Sequence, residues 1–240
     1  MEQNHTVFEL EGHRCEVIAP EVAAEGRPFV FRTEFFHAFD MVDRALLARG
    51  YHLCYCNYSD EYGSPAAIEV FRAFHLYLTK WFGLSTKASL FGFSRGGLYA
   101  INYALAYPEA VACLYLDAPV VDLGSWPAGF GTGCGSPDEW KDCYTRVIGT
   151  EDPTEALKWE HNPINRLPDL TALRLPTLLI AGDSDRVVPY EENGALLEKA
   201  YREAGADITV ILKQGCDHHP HSIENTDPAV EFIENANNGK

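Results

Sequence analysis

Apolar and polar positions along the chain change period several times, and each change predicts an element. Residues 6–10 and 14–18 alternate or run apolar on either side of Glu11-Gly12, which predicts an opening hairpin. A loop over 20–27 leads to a third strand at Pro28-Phe-Val-Phe. From Phe39 to Arg49 the apolar residues Phe39, Val42, Leu46 and Leu47 recur at helical spacing, and Gly50 supplies the stop. Residues 51–56 predict a strand, and Ser64-Pro65 opens a long helix carrying Ala66, Val70, Phe74, Leu78 and Trp81. The run 88–91 reads as a buried strand. A glycine-rich turn then leads to a helix marked by Leu98, Ile101, Ala104 and Leu105, ending at Tyr107-Pro108.

After a strand at 112–116, closed by Asp117-Ala-Pro119, the rhythm stops. Between 121 and about 175 no clean strand is present, while Gly124, Gly129, Gly131, Gly133 and Gly135 stand among Trp126, Trp140 and Trp159. A stretch this long without a strand points to a lid or cap more than to a simple connection. Regularity returns with a strand at 177–181, a helix at 191–204, a strand at 208–213 and a helix at 228–237. An antiparallel opening followed by alternating strands and helices predicts a mostly parallel sheet covered on both faces. In such sheets, sites lie beyond the carboxyl ends of the strands.

At 240 residues the chain fits one large domain with room for an insertion. Its net charge of −16 argues against nucleic acid or an anionic membrane as a partner. The stretch Met1-Glu-Gln-Asn-His-Thr lacks the basic and apolar regions of a signal peptide. No apolar run approaches the ~20 residues needed to span a bilayer. The seven cysteines are odd in number and scattered, so no disulfide framework is predicted, although Cys134 and Cys143 could pair in a loop-rich region. These features together predict a cytoplasmic protein, with secretion after removal of a leader as the alternative.

The chemistry concentrates in three places. The run Gly92-Phe-Ser-Arg-Gly96, between a strand and a helix, has the context of a nucleophile elbow; small residues two before and two after Ser94 let the strand and helix pass closely. The helix start aims backbone N–H groups at the serine. A serine hydroxyl needs a base, and the base needs an orienting acid. Gly182-Asp-Ser-Asp-Arg-Val-Val-Pro189 follows one late strand, and Gly215-Cys-Asp-His-His-Pro-His221 follows the last. Asp183 and Asp185 both stand where the acid is needed. Asp217, His218, His219 and His221 include a His-x-His pair, but ligands from one short loop rarely close a tetrahedral site. No metal and no cofactor are therefore predicted there.

These three runs resemble the signatures of the α/β-hydrolase superfamily, and the resemblance spans the whole chain. It implies an α/β fold with an eight-stranded, mostly parallel sheet and helices on both faces. The core would be 1–120 and 176–240, with a small cap at 121–175 after strand six. It further implies Ser94 as nucleophile, Asp185 as acid and His218 as base, with His219 and His221 either supporting the base from behind or at the rim. The oxyanion donors would be the N–H groups of Arg95 and Glu34; many relatives carry His-Gly where this chain has Phe31-Arg32-Thr33-Glu34. The Ser94-Arg95 step also resembles glucuronoyl esterases, whose arginine side chain assists the oxyanion. Arg32 is read either as a structural ion pair or as a substrate contact. Phe35, Phe93 and Trp126 are candidate substrate-binding residues, with cap core as the alternative for the aromatic cluster. The expected activity is hydrolysis of small to medium carboxylic esters, with sugar or aryl esters suiting aromatic walls. The alternatives are a peptidase or thioesterase, or a non-catalytic ligand-binding protein of the same fold.

Overall fold

A computed structural model describes residues 4–239. Met1–Gln3, part of the stretch read for a leader, lie outside the described residues. The chain opens with β1 (His5–Leu10), β2 (His13–Ile18) and β3 (Phe29–Arg32), then α1 (Met41–Ala48) and β4 (His52–Cys56). Next come α2 (Pro65–Tyr77), β5 (Ala88–Phe93), α3 (Gly96–Ala106) and β6 (Val111–Asp117). Short helices α4 (Pro137–Asp142), α5 (Pro153–Ala156) and α6 (Leu167–Ala172) precede β7 (Thr177–Gly182), α7 (Gly194–Ala204), β8 (Ile208–Lys213) and α8 (Asp227–Asn237). The long helix expected through Trp81 changes character at Leu78, where a π-helical turn runs to Phe82 before Gly83 stops it in the left-handed conformation. Ser64 caps α2 by accepting a hydrogen bond from the Ala67 N–H.

The eight strands form one sheet in the order β1-β2-β4-β3-β5-β6-β7-β8. The β1–β2 hairpin and the β2–β4 pair are antiparallel. All pairs from β4–β3 onward are parallel. All six residues of β5 are buried, as expected of a central strand covered on both faces.

Alternation along the strands divides the core between the two faces. Leu178 and Ile180 of β7 pack with Val42 and Leu46 of α1 and with Val230 and Ile233 of α8. Leu179, between them, joins the larger cluster on the other face, with Phe71 and Phe74 of α2, Leu98 and Ile101 of α3, and Leu197 and Tyr201 of α7.

No strand interrupts residues 118–176, in keeping with the lost rhythm of that stretch. The segment is tied to the core by buried amides. Asn193 Oδ1 accepts from the Val121 and Asp122 N–H groups at 2.9 and 3.1 Å. Within the segment, Asn162 Oδ1 accepts from the Leu123 N–H at 3.1 Å. Asn102 of α3 donates to the carbonyls of Gly63 and His161 at 2.9 and 2.8 Å. The Cys134–Cys143 pairing allowed by the sequence does not occur, since both are free thiols, one exposed and one buried in the core.

Candidate active site

β5 ends in a sharp turn that places Ser94 at φ 50°, a strained value that tight packing must hold. The turn is fastened to the next strand: the Ser94 N–H donates to the Asp117 carbonyl and the Val120 N–H to the Ser94 carbonyl, each at 2.9 Å. A Cβ on Gly92 would stand 2.9 Å from the Gly96 carbonyl oxygen, so the crossing of β5 and α3 requires glycine there.

His218 lies between Ser94 and Asp185. Its Nε2 is 3.0 Å from Ser94 Oγ and its Nδ1 is 2.7 Å from Asp185 Oδ2. Asp185 is aimed by the chain that follows it, its Oδ1 accepting from the Val187 and Val188 N–H groups at 2.8 Å each. Of the two aspartates open in the sequence, Asp185 is the one bonded to His218. Asp183 instead accepts from the Gly215 N–H at 2.7 Å and from the Ser184 hydroxyl, clasping the turns after β7 and β8. Asp217 closes the same clasp, accepting from Arg186 and from its own neighbour's N–H, and these bonds hold its carboxyl down at about 2. The two turns touch so closely that a Cβ on Gly182 would lie 2.3 Å from the Cys216 carbonyl oxygen.

The loop after β3 faces the serine. Thr33 donates its hydroxyl to the Phe91 and Gly96 carbonyls at 3.0 and 2.9 Å, locking the loop to the elbow. The Glu34 N lies 3.6 Å from where a Gly96 Cβ would sit. Neither the Glu34 nor the Arg95 N–H donates to a protein acceptor among the described residues. Burial raises the Glu34 carboxyl above its ordinary range against the pull of Arg95.

A cavity of about 360 Å³ opens over Ser94 and His218, walled by Phe35, Phe39, Phe93, Trp126, His219 and His221 among others. Of the four candidate substrate contacts, Phe35, Phe93 and Trp126 line it and Arg32 does not. Arg32 is 0% exposed: its guanidinium pairs with Asp43 at 3.1 Å, donates to the Phe35 and Ala38 carbonyls at 2.9 and 2.8 Å, and lies 3.7 Å over the Phe93 ring. Arg32 therefore braces the loop from beneath and cannot meet a substrate. The Arg95 side chain is likewise engaged, with Asp60 at 2.7 Å, Glu139 at 3.3 Å and Glu34 at 3.5 Å. Three carboxylates around one guanidinium make it a structural ion-pair centre, correcting the expectation that this side chain reaches toward the reacting oxygen.

Sequence reasoning missed the partner of His221. Its Nδ1 is 2.8 Å from Asp117 Oδ1, and Asp117 Oδ2 accepts from the Ser222 N–H at 2.7 Å. A buried aspartate at the carboxyl end of the strand beside the elbow was the available signal. Phe39 was also missed; its ring stacks on His219 at 5.4 Å. Burial, followed by the neighbouring His221 and His218, lowers the His219 pKa.

No protein-family profile matches the chain. Among solved structures it is similar to a puromycin-hydrolyzing peptidase of Mycobacterium tuberculosis, with TM-score 0.73 and 16% identity, over 96% of this chain and 38% of that one. It is also similar to the acylaminoacyl peptidase of Pyrococcus horikoshii, with TM-score 0.71 and 15% identity, over 96% of this chain and 40% of that one. Est1E from Butyrivibrio proteoclasticus superposes over 98% of this chain and all of its own, with TM-score 0.68 and 17% identity. The chain thus spans well under half the length of the two peptidases and the whole of Est1E. The strand order and these likenesses define the α/β-hydrolase fold.

Proposed function

We propose that this chain is a serine hydrolase that cleaves carboxylic esters through a covalent acyl-enzyme. The observation that carries the reading is the continuous path Ser94 Oγ, His218 Nε2, His218 Nδ1, Asp185 Oδ2, with links of 3.0 and 2.7 Å. In this reading His218 takes the Ser94 proton as Oγ attacks the ester carbonyl, and Asp185 orients the imidazole and stabilises its protonated form. The carbonyl oxygen gains negative charge and is met by the N–H groups of Arg95 and Glu34, which donate to no protein acceptor among the described residues. Collapse expels the alcohol, which takes its proton from His218. Water activated by the same histidine then releases the acid.

The aromatic wall favours an ester with an apolar or aryl acyl group, and residues 121–175 act as a cap contributing Trp126 and Glu139 to that wall. The test compares p-nitrophenyl acetate, butyrate and an aryl ester with alanyl-p-nitroanilide. Esters should be preferred by kcat/KM, and a preference for the anilide would move the assignment to a peptidase.

A further inference from the structure

At the β1 edge of the sheet, three side chains from three separate elements converge. His5 opens β1, Glu16 lies in β2, and His37 belongs to the loop after β3. Glu16 Oε2 is 2.8 Å from His5 Nε2 and 3.2 Å from His37 Nε2, and the three atoms lie within 4.8 Å of one another. We propose that His5, Glu16 and His37 form a binding site for a divalent transition metal of the zinc class, which staples the opening hairpin to the loop that walls the candidate active site.

The donor set argues for this kind of ion. Two imidazoles and one carboxylate suit zinc, nickel or copper, whereas calcium and magnesium call for oxygen alone. Bonds of ~2.0–2.1 Å in a tetrahedral zinc site leave ligand atoms roughly 3.3 Å apart. The two edges at Glu16, 2.8 and 3.2 Å, approach that separation and the third lies within 4.8 Å, so small movements of the two imidazoles would admit the ion. Three ligands would leave a fourth position for water.

The surroundings fit as well. Glu16 is buried, between two imidazoles and a guanidinium. Arg14 Nε holds the other oxygen, Oε1, at 3.1 Å, which orients the carboxylate and turns Oε2 toward the imidazoles. Both histidines reach the surface, giving the ion an entry path. These ligands lie far apart in sequence, unlike His218, His219 and His221, which share one loop and include the base.

The site is coupled to the candidate active site by chain connectivity. His37 stands between Phe35 and Ala38, both of which line the cavity, and three residues after Glu34. The backbone at Phe35, His37 and Phe39 has φ of 54, 71 and 51°, an unfavourable run for non-glycine residues that an ion at His37 would help to hold.

The test uses the full chain, stripped with a chelator, dialysed, and titrated with zinc chloride against a competing indicator. Co2+ substitution provides a spectroscopic readout of imidazole and carboxylate ligation without thiolate. One Zn2+ should bind at this site with low micromolar affinity and raise Tm. His5→Gln, Glu16→Gln and His37→Asn should each weaken binding by roughly tenfold or more, since loss of even an outer partner of a ligand costs 10–100-fold. Asparagine tolerates the left-handed backbone at position 37, so this variant should keep its fold. Zinc retained by the 218–221 loop would persist in all three variants and disappear in His219→Gln. Wild-type affinity in His37→Asn, or no binding by the wild type below millimolar zinc, would overturn the proposal.

Discussion

Replacing Arg32 by methionine should be among the most damaging single changes outside the triad, through support of the active-site loop and without any contact to substrate. The guanidinium pairs with Asp43, buried like itself, and holds the Phe35 and Ala38 carbonyls. Methionine preserves much of the volume but leaves the Asp43 carboxylate buried without its partner, a change that costs about 3–5 kcal/mol. That is a large part of the ~5–15 kcal/mol by which a domain is normally stable. Replacing both partners, as Arg32→Met with Asp43→Leu, removes the stranded charge. The remaining loss is then the two carbonyl hydrogen bonds, about 1 kcal/mol each. The single variant should thus lose about 6 kcal/mol and the double variant about 2, the difference of about 4 kcal/mol being the stranded carboxylate. Urea unfolding followed by tryptophan fluorescence measures both, provided the m-value is unchanged. The double variant should still lose roughly 10²-fold in kcat/KM, because the unbraced loop carries the Glu34 N–H and small misplacements are costly. A single-variant cost below about 1 kcal/mol, or a double variant no more stable than the single, would refute the reasoning.

Asp185→Asn should lower kcat by ~10⁴-fold, as loss of the orienting carboxylate does in a comparable triad, while Asp183→Asn, which loosens a turn, should lower it less than tenfold; steady-state kinetics on one p-nitrophenyl ester compares them. His75, buried between α2 and α3 and bonded to the Tyr103 hydroxyl at 2.7 Å, is pushed from 6.5 down to about 4, chiefly by burial. Above pH 6.5 it is neutral in both folded and unfolded chains; as pH falls toward 4 the unfolded imidazole gains a proton that the folded one refuses, so about 3 kcal/mol of stability is lost across that window. His75→Gln should flatten that part of the stability-versus-pH curve, and an unchanged slope would contradict the assignment. Gly182→Ala should lower Tm by roughly 5 °C or more, because its Cβ would meet the Cys216 carbonyl; calorimetry with no shift would show that the two turns can separate freely.

The order of strands and helices was legible because each is marked by its own period and by residues with one physical role. Gly50 ends α1, Ser64-Pro65 begins α2, and the β8 boundaries at Ile208 and Lys213 match the apolar run. Ser94, Asp185 and His218 were legible as candidates because turns after buried strands advertise themselves in glycine and polar residues. Side-chain direction was not. Arg32, open from sequence between an ion pair and a substrate contact, and Arg95, expected to reach the reacting oxygen, are both held by carboxylates that local sequence does not point to, Asp43 for one and Asp60 and Glu139 for the other. The Asp117–His221 pair spans a separation that no local pattern encodes. His5, Glu16 and His37 were invisible for the same reason, since only pairing of β1 with β2 and the fold of the loop after β3 bring them together.

The central claim is that Ser94 carries the acyl group. The most direct measurement is rapid mixing with p-nitrophenyl acetate, with the protein acid-quenched and its peptides read by mass spectrometry. A burst of nitrophenol approaching one equivalent per chain and an acetyl group on the peptide containing Ser94 are expected, and neither in Ser94→Ala. An acetyl group found elsewhere, or Ser94→Ala retaining more than roughly a tenth of the turnover where a triad serine is worth ~10⁶-fold, would contradict it.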